Sequence, residues 1–144
     1  MQNCSQESVI NAYDNSIAYT DHFLVRAIRW LQARGAAANA ALVHVSDHSE
    51  SLGGGNLYLH GMPDALAADV QKRVPWITCA SAGLRSRTGL SMECLRERRD
   101  LEVSHDNYFQ AVLSMMNVLT SACRATLDAY APCRSLAEQS SGGA

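Results

Sequence analysis

Apolar residues recur at helical spacing near the start of the chain: Ile10, Tyr13, Ile17, Thr20, Leu24, Ile28 and Leu31 fall on one stripe. Ser5 precedes the stripe as an N-cap candidate, and Gly35 follows it as a C-terminal stop. This pattern predicts a long amphipathic helix. The period then changes. Ala41 to Ser46 is a β-branched, apolar run with residues of that kind on both faces, as expected of a central strand in a layered α/β domain. Ala65 to Gln71 reads as a short helical turn. Val74-Pro75-Trp76-Ile77 opens a second strand, with the proline tolerable at its start. Ser104 caps a further helix that carries Phe109, Val112, Leu113 and Met116. From Ser135 to Ala144 the chain is small, polar and Gly-rich, and disorder is expected there. The alternation predicts an α/β fold with no internal repeat and no dividing linker.

Composition narrows the function more than the fold. A content of 47% hydrophobic and 18% charged residues over 144 residues is ordinary globular usage. A net charge of −2 gives no basis for nucleic-acid binding, and no basic run suggests an anionic membrane surface. No segment approaches the roughly 20 apolar residues of a membrane span. The polar start Met1-Gln2-Asn3-Cys4-Ser5 has no apolar core of a signal peptide.

The chemistry concentrates where the first strand ends. Ala41-Leu42-Val43-His44-Val45-Ser46 runs into Asp47-His48-Ser49-Glu50, and a Gly-rich turn leads to Leu57-Tyr58-Leu59-His60-Gly61. Polar groups just past the carboxyl end of a strand are where open α/β sheets hold ligands and metals. Asp47 and His48 are adjacent, so a regular strand would send them to opposite faces; only a loop turns both toward one point. A carboxylate beside an imidazole suits Zn²⁺, which takes both at about 2.0–2.2 Å. His44 reads as a strand histidine. His105 and Asp106 form another acid–histidine pair, yet beside the Ser104 cap the structural reading is favoured, because an aspartate there suits the helix dipole. Cys4, Cys79, Cys94, Cys123 and Cys133 are five in number and show no CxxC-type zinc pattern; spacing alone does not settle their pairing.

Ser46-Asp47-His48-Ser49-Glu50-Ser51-Leu52-Gly53 and Leu57-Tyr58-Leu59-His60-Gly61 resemble the phosphoethanolamine–lipid A transferases, the EptA/MCR-like branch of the alkaline phosphatase/sulfatase superfamily. The resemblance continues, in order and spacing, through Asn11-Ala12-Tyr13-Asp14-Asn15-Ser16-Ile17, Asp69-Val70-Gln71-Lys72-Arg73-Val74-Pro75, Ser104-His105-Asp106-Asn107 and Ala131-Pro132-Cys133-Arg134. It implies a partial three-layer αβα sandwich, with residues 1–134 forming the C-terminal part of the catalytic domain and 135–144 a tail. It also implies Zn²⁺ held by Asp47 and His48, His60 binding substrate phosphate or a second metal, and Glu50 orienting a ligand. The whole family enzyme works at the periplasmic face of the inner membrane. It takes phosphoethanolamine from phosphatidylethanolamine onto a threonine and passes it to lipid A. That threonine and a further glutamate ligand match nothing in these 144 residues, so no catalytic nucleophile is assigned, and a truncated, catalytically silent remnant is the alternative. A sulfatase or phosphoglycerol transferase is less favoured, because the Tyr58-Leu59-His60-Gly61 and Ala131-Pro132-Cys133-Arg134 segments suit the phosphoethanolamine branch.

The resemblance also marks departures. Ser49 stands where the family has glycine; if that backbone needs positive φ, the serine costs on the order of 1–2 kcal/mol and displaces His48. Gly54-Gly55-Asn56 replaces a segment that usually begins with glutamate, Ala68 replaces a proline, and Asp64 stands where an aromatic is common. Cys4 sits where a family cysteine pairs with one upstream, so it is expected to be free here. Cys79 and Cys123 are expected to be small buried hydrophobes.

Overall fold

The computed structural model describes residues 4–53, 58–60 and 69–135. They belong to two compact units, one built from residues 1–33 and 41–79, the other from 34–40 and 80–144.

The first unit opens with α1 (Gln6–Gln32), capped as expected: the Ser5 side chain accepts the Ser8 amide. Its apolar stripe packs against β1 (Ala41–Val45) and β2 (Ser51–Leu52). Leu24 and Leu31 are buried, Ile10, Tyr13, Thr20 and Ile28 are half-buried, and Ile17 is the stripe residue left exposed. β1 is half-buried from Leu42 onward and pairs with β4 (Trp76–Ala80) in a two-stranded sheet. Both expected strands are present, each one or two residues shorter than the apolar run: Ser46 turns away at the end of β1, and Val74-Pro75 precedes β4 because proline has no amide to donate. β2 pairs antiparallel with β3 (Tyr58–Leu59), Ser51 opposite Leu59 and Leu52 opposite Tyr58. The turn starts at Gly53, whose φ of 99° is one that side-chain-bearing residues rarely adopt; an added Cβ would sit 2.7 Å from the Gln6 amide nitrogen and 2.9 Å from the Tyr58 ring. A single turn, α2 (Asp69–Lys72), follows; it is the described part of the helical turn expected over 65–71. Gly54-Gly55-Asn56, Asp64 and Ala68 lie outside the described residues.

The second unit is helical. α3 (Ala82–Thr88) and α4 (Met92–Glu97) are absent from the sequence expectation, since a helix of six or seven residues is too short to show a period. Their caps nevertheless follow the rule: Ser81 accepts the Leu84 amide, and Ser91 the Cys94 amide. α5 (His105–Met116) has the expected Ser104 cap, reinforced by a capping box with Asn107. Its buried face differs from the apolar residues named for it. Phe109 and Met116 are exposed, while Gln110, Ala111 and Met115 are buried. Gln110 tolerates burial because its side chain donates to the Ala122 carbonyl and accepts the Arg124 amide. Leu84, Leu90, Ala111, Met115, Tyr130 and Cys133 form the core of this unit.

Cys94 and Cys133 form a disulfide. Cys4 is free and exposed, and Cys79 free and half-buried. Cys123 is exposed, contrary to the expectation of a buried hydrophobe: it lies in the irregular segment after α5, where its thiol reaches the Val118 carbonyl instead of the core. Next to the disulfide, Arg134 donates to Thr88 O, Ser114 O and Ser114 Oγ, bonding the C-terminal turns of α3 and α5. The Ala131-Pro132-Cys133-Arg134 segment therefore acts as a structural clasp. Among the described residues no helix is long and apolar enough to cross a membrane.

Candidate metal centre

The site grows from strand register. Ser51 faces Leu59 in the β2–β3 pair, so one further step sets Glu50 opposite His60. His48 is two residues before Glu50 and shares its side of the extended chain. The side chains confirm the geometry: Glu50 Oε1 accepts the His60 Nδ1 proton at 2.8 Å and lies 3.9 Å from His48 Nδ1. The two imidazoles stack with ring centroids 3.8 Å apart. Candidate ligand atoms of His48, Glu50 and His60 all lie within 4.8 Å of one another.

Asp47 is outside that cluster. Its side chain is 88% exposed, with Oδ2 3.7 Å from His48 Nε2. Oδ1 accepts the His48 amide at 3.0 Å, and this bond holds the carboxyl below its usual pKa, leaving Asp47 ionised at neutral pH. Two atoms bound to one zinc at about 2.0–2.2 Å can be no more than about 4.4 Å apart. Asp47 Oδ2 and His48 Nε2 satisfy that limit.

Both histidines present the correct lone pair. A carbonyl or carboxylate oxygen can only accept, so His48 Nδ1 donates to Ser49 O at 3.3 Å and His60 Nδ1 donates to Glu50. In the neutral form of each ring these bonds place the proton on Nδ1 and leave Nε2 as the lone-pair donor. Glu50 Oε2 is buried and has no hydrogen-bond partner, an acceptor that a bound cation would satisfy. The residues present fit a divalent metal.

The loop that carries these groups is pinned from two helices. Gln71 of α2 accepts the Ser49 amide with its carbonyl and donates its side-chain amide to buried Ser51 Oγ at 2.7 Å. From α1, Tyr13 Oη meets Ser49 Oγ at 3.2 Å and Gln6 donates to Leu52 O at 2.9 Å. The strain expected at Ser49 is not found: Asn117 is the one non-glycine with positive φ among the described residues. Ser49 sits in ordinary backbone, held by the hydroxyl that glycine lacks. Periodicity counted Tyr13 as a position in an apolar stripe and missed this role; the available signal was that a half-buried tyrosine needs a partner for its hydroxyl. His44 is half-buried on β1. His105 and Asp106 occupy the first turn of α5 and contribute nothing to the cluster.

The chain belongs to the sulfatase family, whose model matches residues 1–118. It is similar to phosphoethanolamine transferase EptA of Salmonella typhimurium, 40% identical over 139 residues that make up 96% of this chain and 25% of the relative. It is also similar to phosphatidylethanolamine transferase Mcr-1 of Escherichia coli, 49% identical over 72 residues, or 50% of this chain and 13% of the relative. The solved soluble domain of lipooligosaccharide phosphoethanolamine transferase A from Neisseria meningitidis matches with a TM-score of 0.84 at 34% identity, covering 93% of this chain and 40% of that one. The α/β fold of the sulfatase type expected from the sequence is thus the fold of this chain. It spans 25% of the length of the EptA relative, so the activity of the whole relative does not pass to it directly.

Proposed function

We propose that residues 1–134 supply the metal-binding C-terminal part of a phosphoethanolamine transferase catalytic domain. Asp47 and His48 hold Zn²⁺, Glu50 orients a ligand, and His60 faces the substrate phosphate or a second metal. The observation that carries this reading is the convergence of His48, Glu50 and His60 beside Asp47, with Glu50 Oε2 buried and unpartnered. Zinc in such a site supplies Lewis-acid stabilisation of phosphoryl oxygens. The chain's own residues bring one ligand atom each of His48, Glu50 and His60 within 4.8 Å of one another, with Asp47 Oδ2 3.7 Å from His48 Nε2.

The substrates follow from the resemblance: phosphatidylethanolamine as donor and the phosphate groups of lipid A as acceptor, at the periplasmic face of the inner membrane, with no nucleic-acid partner. The nucleophile threonine is assigned outside these 144 residues. The reading is tested by titrating zinc calorimetrically into the chain and into Asp47→Ala and His48→Ala. Micromolar binding that weakens at least tenfold in each variant supports it; binding unchanged by both substitutions overturns the ligand assignment. A transfer assay with a fluorescent phosphatidylethanolamine analogue separates this from the silent-remnant reading: product formed by a longer polypeptide carrying this chain, and lost in Asp47→Ala, excludes a remnant.

A further inference from the structure

Ser49 is gripped on three sides. Its hydroxyl meets Tyr13 Oη on α1, its amide donates to Gln71 O on α2, and its carbonyl receives the Nδ1 proton of His48. Side chain and amide are both anchored to helices, which restrains the backbone that carries the carbonyl. That carbonyl is the acceptor that keeps the His48 proton on Nδ1. We infer that Tyr13 is a positioning residue for His48, acting through Ser49 to hold the ring tautomer and orientation in which Nε2 is the metal-binding lone pair. Tyr13 bonds to Ser49, 36 residues away in sequence, and not to the ring it is inferred to position. A hydroxyl in place of the family's glycine hydrogen is what makes the connection possible here, so the device belongs to chains carrying serine at this position.

The inference rests on the reading of His48 as a zinc ligand, and the test separates the two. Tyr13→Phe keeps the ring and removes the hydroxyl; Ser49→Ala removes the same bond from its other end. In the metal-free chain at about pH 8, nitrogen-15 NMR distinguishes the two tautomers of His48. The wild type is expected to show Nδ1 protonated. Each variant is expected to move a substantial fraction of the proton to Nε2 and to weaken zinc binding about three- to tenfold, the scale of one hydrogen bond. The double variant is expected to lose no more than either single one, because both cut the same link.

A purely structural role predicts a lower melting temperature with the His48 tautomer and zinc affinity unchanged in both variants, and that result overturns the inference. Should Tyr13→Phe fail to fold, Ser49→Ala decides by the same readings. Absence of zinc binding in the wild type would sink the ligand reading, while the metal-free tautomer measurement still judges the Tyr13 link.

Discussion

Glu50 accepts a 2.8 Å hydrogen bond from His60, a residue ten positions away that the β2–β3 register sets directly opposite it. The same oxygen faces His48, whose ring stacks on that of His60. The carboxylate thus orders the His60 ring directly, and His48 only through the ring stacked on it. Outer-shell partners of metal-binding histidines typically matter 10–100-fold in affinity. Glu50→Ala is expected to weaken zinc binding by about that range, and Glu50→Gln by less, since the amide oxygen still accepts from Nδ1. Calorimetry on the two variants checks the order; equal losses would mean that charge, not orientation, is what Glu50 provides.

Two histidine substitutions should behave oppositely. His48→Ala removes a proposed ligand and is expected to lower zinc affinity at least tenfold. His105→Ala changes a residue in the first turn of α5 and is expected to leave affinity unchanged. An equal loss from both would show that the ligand set is wrong.

Ser49→Gly restores the residue that the family resemblance expects, yet it is expected to destabilise. It removes the Tyr13 hydrogen bond, worth about 0.5–1.5 kcal/mol, and adds the backbone entropy of glycine in the unfolded chain, about 0.5–1 kcal/mol. Urea unfolding measures the sum. Stabilisation would reveal a backbone strain that the φ angle does not show.

The clasp of the second unit should carry measurable stability. The Cys94–Cys133 disulfide closes a loop with a sequence separation of 39, for which chain entropy suggests about 4 kcal/mol. Replacing both cysteines with alanine is expected to lower unfolding free energy by about 2–4 kcal/mol. Arg134→Ala is expected to cost about 1.5–3 kcal/mol, because bonds from its guanidinium to Ser114 and Thr88 are charge-assisted. Arg134→Lys should recover little of this, since one ammonium cannot reproduce the fork. Denaturant curves on the three variants check the ranking.

Local physics made much of this chain legible. Ser5 and Ser104 cap helices because a hydroxyl one residue before a helix satisfies orphan amides whatever surrounds it. The apolar run that leads into Asp47-His48, the histidine after the Gly-rich turn and the second expected strand were readable from local sequence pattern too. Tertiary structure decided what depends on residues meeting across the chain. It paired Cys94 with Cys133, which spacing had left open, and it turned the buried face of α5 toward Gln110 and Met115. It also converted Ser49 from an expected point of strain into an anchor held by Tyr13. The metal centre shows the division within a few residues: that Asp47, His48, Glu50 and His60 are donors is a property of side-chain chemistry. That Glu50 and His60 lie 2.8 Å apart, both histidines with the proton on Nδ1, is set by hairpin register and by hydrogen bonds from two helices, which exist only in the folded chain.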